Sequence, residues 1–261
     1  DKFLILYYIM KLKDLVLGLI ILLLIYLIYI WFFTDSTKYY LLASITDAKS
    51  GKTTVDGNKL PRSLASSDFT YCFWAYIDNW EDNNGKEKYI IFRPNSDDSD
   101  KGTKIYLDKN VNDLVVKLKK TGTGSQDNEE LDMIIPNIPL QRWVCIIVTV
   151  NNRSCDGYID GKLIKTEVAD NVLIDGGPNV TDIELLKAPS SSTSTSANEA
   201  DGFAGSIGNV LYYTRSVNPR EAYAIYKEGP GGGNSLLNVL NRYGLKFSFL
   251  SQGKELHKIV I

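Results

Sequence analysis

From Phe69 to Ile77 the chain alternates with a period of two, yet both phases are apolar or aromatic. Phe69, Tyr71, Phe73, Ala75 and Ile77 fall on one face of a strand, and Cys72, Trp74 and Tyr76 on the other. A sheet with one solvated face would place polar residues in one phase. The same two-sided pattern recurs in Trp143-Val144-Cys145-Ile146-Ile147-Val148. Two such strands predict a third layer over the second face. That layer is either the domain's own loops, its C-terminal arm or a partner protein. Trp74 and Tyr76, with Phe247 and Phe249 of the arm, are the predicted interface residues.

Further strand-like runs lie near 69–78, 88–93, 104–108, 113–119, 130–135, 141–150, 155–160, 162–168, 181–186 and 203–213. Short strands at this spacing predict a sandwich or barrel, and no long amphipathic helical pattern separates them, so a parallel α/β sheet is excluded. Asp160-Gly161 is a hairpin signal. Residues 188–202, rich in serine and threonine, predict a surface loop. One short helix is marked over NPREAYAIYKE. Asn218 caps it, Pro219 takes the first helical position, Glu221 completes a capping box and Gly229-Pro230 ends it. Beyond Gly231-Gly232-Gly233 the last segment has a helix-like start and two strand-like runs around Gln252-Gly253-Lys254.

Leu15 to Phe33 breaks the strand pattern, with nineteen residues and no charge. As a helix it would span roughly 28 Å, near the thickness of a bilayer's hydrocarbon core. Leu15 and Leu24 stand for its apolar body, and Trp31 and Phe33 for its aromatic end. A buried core helix would keep a polar stripe, and a signal peptide would have a shorter apolar region followed by a small-x-small site. The expectation is therefore a single-pass anchor. Lys2, Lys11 and Lys13 ahead of it favour a cytoplasmic N-terminus. The expected organisation is a basic, interfacial segment (1–14), a transmembrane helix (15–33), a stalk with a first strand (34–68), a β-sandwich (69–230) and a glycine-linked arm (231–261).

Composition narrows the partners. A net charge of −2 over 261 residues gives no basic face for a phosphate backbone, so nucleic acid is excluded as a partner. Three widely spaced cysteines, Cys72, Cys145 and Cys155, do not form a disulfide framework. Asn152 and Asn179 head glycosylation sequons.

Three stretches carry a family resemblance. FTYCFWAYIDNW resembles the aromatic early strand of concanavalin A-like, laminin G-type domains. LQRWVCIIVTVNNRSCDGYIDGKLIKT resembles their central run, and GFAGSIGNVLYYTRSVNPREAYAIYKEGP their closing strand and capped helix. The implied fold is all-β, a concanavalin A-like two-layer antiparallel sandwich of jelly-roll type. With the N-terminal anchor, the chain resembles membrane-anchored minor capsid proteins of large nucleocytoplasmic DNA viruses of the algal type. That resemblance implies a structural, non-enzymatic protein in the virion's internal membrane, tied to other capsid proteins. The alternative is a membrane-anchored, glycan-binding adhesion module.

The candidate sites follow from the same family. Its β-glucanases carry E-x-D-x-x-E on one strand, where two carboxylates flank the scissile bond. Here Glu130 and Asp132 begin the pattern, but Ile135 stands at the final glutamate, so no catalytic residue is assigned. The single histidine, His257, lies in the arm, and Ser50-Gly51-Lys52-Thr53 lacks the first glycine of a phosphate loop. No cofactor is expected unless Asp97, Asp98 and Asp100 hold calcium, since laminin G-type domains often bind it at a sandwich edge. Trp80 with Asp78 and Asn83 is the candidate sugar platform.

Overall fold

The structure, a computed structural model, describes residues 15–28, 37–61, 67–96, 101–122, 130–176, 179–189, 199–231, 246–251 and 254–260. The chain divides into two units, residues 1–36 and 37–261. In the first, helix α1 covers residues 15–28, and every one of its side chains is exposed. Trp31 and Phe33, at the far end of the expected span, lie outside the described residues. Among the described residues no helix is long and apolar enough to cross a membrane.

The second unit contains the strands. They are β1 (Lys38–Leu42), β2 (Thr46–Asp47), β3 (Thr53–Val55), β4 (Asp68–Asn79), β5 (Glu87–Pro94), β6 (Gly102–Leu107), β7 (Leu114–Lys120), β8 (Glu130–Ile135), β9 (Trp143–Asn151), β10 (Ser154–Ile159), β11 (Lys162–Val168), β12 (Leu173–Ile174), β13 (Ile183–Leu185), β14 (Glu199–Asp201), β15 (Ala204–Tyr213), β16 (Lys246–Ser251) and β17 (Lys254–Val260). One sheet runs β1-β15-β4-β9-β10-β11 with β2 beside β15. The other runs β12-β7-β6-β5-β13-β3, with β8 beside β7 and β14 beside β5. Among the described residues all strand pairs are antiparallel except β14–β5. β14 falls inside the run expected as a loop, because its pairing with β5 is decided by a strand more than a hundred residues earlier.

The core lies between the two sheets. Phe69, Tyr71, Phe73, Ala75 and Ile77 of β4 enter it beside Val150, Val148, Ile146 and Val144 of β9. From the other sheet come Ile91, Ile105, Leu107, Leu114, Val116 and Met133. Aromatic and β-branched residues face one another in register along these central strands, which favours their pairing.

The second face of β4 and β9 is covered from within the domain by helix α2 (Pro219–Glu228). Cys72, Trp74, Cys145, Ile147, Tyr158, Leu211 and Tyr213 form a second core under Val217, Ala222 and Ile225. This corrects the expectation that Trp74 faces a partner. It is 4% exposed, and its ring stacks on Tyr226 at 5.8 Å. Tyr76, next on that face, is half-buried beside Trp143. The expected capping box is present: Asn218 Oδ1 accepts from the Glu221 amide at 3.0 Å, and Glu221 Oε2 accepts from the Asn218 amide at 3.1 Å. Asp160 and Gly161 both have positive φ (50° and 73°), as a two-residue hairpin turn between β10 and β11 requires. A Cβ on Gly161 would meet Tyr223 Cα of α2 at 2.8 Å, so glycine also lets the helix settle against this turn.

Among the described residues β16 and β17 form a separate two-stranded sheet that pairs with neither layer. Phe247 pairs with Ile259 and Phe249 with His257. All three cysteines are free and buried, and act as small hydrophobes.

Candidate functional site

Most of the residues singled out in the sequence are consumed by the fold. Trp80 is half-buried against the main core and carries the Lys88 ammonium 4.5 Å from its ring centroid. One face of the expected sugar platform is thus engaged by a cation of the same domain. Lys88 itself is 1% exposed. Burial lowers its basicity, while Asp108 and Asp82 act in the opposite direction. Asp78 is exposed and Asn83 half-buried on the loop that follows β4. Asp97, Asp98 and Asp100 lie outside the described residues, and among those described no cluster has the make-up of a metal site. The Phe247 and Phe249 side chains are likewise outside what is described. Asn152 is exposed at the tip of the β9–β10 hairpin and Asn179 is exposed beyond β12.

The remnant of the glucanase pattern is a charged ladder. Glu130 pairs in register with Lys119 and Asp132 with Lys117. Glu130 lies 3.7 Å from the Lys104 ammonium, and Asp132 lies 3.6 Å from that of Lys117. Ile135, at the third position, is fully buried in the core. The two carboxylates therefore neutralise lysines on the opposite face of β8 from the core.

The sequence gives no sign of a buried polar network between the sheets. Arg93 Nη1 reaches Asp175 Oδ2 at 2.6 Å and the Tyr212 hydroxyl at 3.2 Å. The Tyr71 hydroxyl donates to Asp175 at 3.0 Å, the Thr103 hydroxyl donates to it at 2.6 Å, and Arg93 Nε donates to Thr181 at 3.2 Å. The members come from β4, β5, β6, β15 and the loop after β12, which is why no local pattern reveals them. Burial first, and the Asp175 carboxylate second, raise both tyrosines above the ordinary phenol range. An unfolded tyrosine ionises near pH 10, whereas these two stay protonated in the fold. Above that pH the unfolded chain binds fewer protons, so stability falls as pH rises. Chemical denaturation should show a loss of roughly 1 kcal/mol per tyrosine between pH 10 and 11, with a shallower decline in Tyr212→Phe. An equal slope in the variant would show that Tyr212 does not carry it.

An open groove of about 470 Å³ lies on the outer face of the first sheet, beside the start of α2. Its floor residues Thr149, Asp156, Tyr158 and Leu163 fall in two rows of the sheet's register. Thr70, Thr149, Asp156 and Thr166 lie opposite one another across β4, β9, β10 and β11. The neighbouring row is Cys72, Ile147, Tyr158 and Leu163. Residues 215–219 and Glu221, leading from β15 into α2, form the wall. The wall is tied down: Thr70 Oγ1 donates to the Arg215 carbonyl at 2.8 Å, and the Val217 amide donates to Thr149 Oγ1 at 2.9 Å. Arg215 Nη1 contacts Glu221 Oε2 at 3.0 Å, and Glu221 also holds the helix cap.

Two groups in the groove keep unused capacity. Asp156 Oδ1 accepts from Thr166 at 2.7 Å, while Oδ2 has no partner among the described residues. Tyr158 is 1% exposed and lines the groove, and its hydroxyl has no hydrogen-bond partner among the described residues. Burial, then the Asp156 carboxylate, raise this phenol above its ordinary range, so it stays protonated. These residues fall in strand patterns that read as ordinary sheet, and only register brings them together.

The chain resembles the receptor binding domain of the botulinum neurotoxin C/D mosaic serotype, with TM-score 0.50 and 15% identity over 70% of this chain and 41% of that one. It resembles the botulinum neurotoxin serotype D ligand binding domain, solved in complex with N-acetylneuraminic acid, with TM-score 0.49, 15% identity and the same coverage. The binding domain of paraclostridial mosquitocidal protein 1 matches with TM-score 0.44 and 19% identity over 72% of this chain and 46% of that one. The chain thus spans less than half of these structures, and at such identities the likeness is one of fold. No curated protein sequence matches it. Residues 47–222 match the family model described as the concanavalin A-like lectin/glucanases superfamily. That match takes in β3 to β15 and the first turn of α2, more than half of the chain, and the chain belongs to this superfamily.

Proposed function

We propose that the chain is a single-pass, membrane-anchored structural protein whose lectin-fold domain binds other proteins. In the setting suggested by its resemblance to minor capsid proteins of large DNA viruses, it links the internal membrane of the particle to the capsid shell. One observation carries the membrane part. The charge-free segment 15–33 is helical over its described portion, 15–28, and exposes every apolar side chain there. A helix that is apolar all round is stable in lipid and unfavourable in water. The ion-paired Glu130 and Asp132, and the buried isoleucine at the third position, support a binding role over a hydrolytic one.

Extraction of membranes with alkaline carbonate tests the reading. The full chain is expected to stay with the lipid. Ile21→Arg, which places a charge near the middle of the segment at an insertion cost of about 2.5–3.5 kcal/mol, is expected to release a substantial fraction. Complete release of the unaltered chain with peripheral proteins would overturn the anchor.

A further inference from the structure

We infer that the groove between the start of α2 and β9–β11 is a docking site for a partner protein, and that it takes an extended segment carrying a lysine or arginine side chain. The inference rests on the protein-binding reading above and adds the place and the chemistry.

The chemistry comes from what the groove leaves unsatisfied. Its charged lining is Asp156, Glu221 and Arg215, two acids against one base, and so nets −1. Arg215 and Glu221 engage each other, and Glu221 also caps α2. Glu221 therefore already places a carboxylate at the helix N-terminus, which disfavours an anion there. Among the acceptors left open in the groove are Asp156 Oδ2 and the Tyr158 hydroxyl oxygen. An ammonium or guanidinium group supplies donors only and cancels the residual charge. Phosphate, sulfate or a carboxylate would instead meet Asp156.

The shape of the surroundings favours a polypeptide. β11 is the terminal strand of its sheet. Along it Leu163, Ile164 and Val168 are 50%, 49% and 63% exposed, with Leu163 lining the groove itself. An apolar strip on an open sheet edge fits the backbone and alternating side chains of an extended segment. The register shift between Gly157 and Tyr158 bends this edge, so the segment is held by side chains more than by a long new ladder.

The test uses the full chain in nanodiscs and three probes. These are the capped hexapeptide Val-Thr-Val-Lys-Val-Thr, the same peptide with norleucine for lysine, and a set of neutral methyl glycosides. Binding is followed by isothermal titration calorimetry. The lysine peptide is expected to bind at least tenfold more tightly than the norleucine peptide, and to weaken as salt rises. Asp156→Asn is expected to remove that preference. Asn151→Lys, an exposed change at the rim, should do the same by repulsion. Equal binding of the two peptides, no binding of either, or an unchanged preference in both variants would overturn the proposal. So would binding of a glycoside in place of the basic peptide. The anchor plays no part in these readouts, so failure here and release by carbonate are separate results.

Discussion

Replacing Arg93 by methionine is expected to cost the domain about 3–5 kcal/mol, because it leaves the Asp175 carboxylate charged and unpaired between the sheets. Asp175 is 6% exposed and Arg93 8%. Methionine keeps most of the side-chain volume, so the loss isolates the charge. The donors from Tyr71 and Thr103 remain, but they were arranged around a paired carboxylate. At a few degrees per kcal/mol for a domain of this size, the melting midpoint should fall by about 8–16 °C. Adding Asp175→Asn removes the stranded charge and should recover part of the loss. If the single variant melts within about 2 °C of the parent, the network does not contribute as its geometry implies.

Trp74→Ala is expected to be of similar size, about 3–5 kcal/mol, since truncating a large buried aromatic loses its transfer energy and leaves a cavity. The cavity would open under α2, where Trp74 stacks on Tyr226. The loss should come with local opening of the helix, seen as faster hydrogen exchange in 219–228 than in β9. Tyr76→Ala, on the same face but half-buried, should cost less. If Trp74→Ala leaves stability unchanged, the helix does not seal this face. Deleting residues 231–261 separates the arm from the helix. If α2 is the cover, stability should be nearly unaffected.

Much of the architecture was readable along the chain because its signals are local. The alternation in 69–77 and 143–148 places β4 and β9. Asp160-Gly161 marks the β10–β11 hairpin, and Asn218-Pro219 with Glu221 marks α2. Strand period, turn dihedrals and helix caps each depend on residues a few positions apart. The two-sided apolar pattern also announces that β4 and β9 need a second cover. It does not say which element supplies it, because any amphipathic piece meets the need.

The tertiary structure decided the rest through pairings over long distances in the chain. α2 lands on Trp74, about 150 positions earlier, because β15 places the helix start beside β4 and β9 through Thr70 and Thr149. That contact turns an expected interface residue into core. Arg93 and Asp175 are 82 positions apart and read in isolation as solvated charges, yet they meet between the sheets. Trp80, a sugar platform on composition alone, is engaged because the turn into β5 brings Lys88 over its ring. The groove exists only because register sets Thr149, Asp156 and Thr166 in one row and Ile147, Tyr158 and Leu163 in the next. Strands, turns and the capped helix are legible along the chain, since they are set by short-range sterics and hydrogen bonding. Which faces are sealed, which charges are paired and where a side chain is left without a partner depended on residues that only the assembled sheets bring within bonding distance.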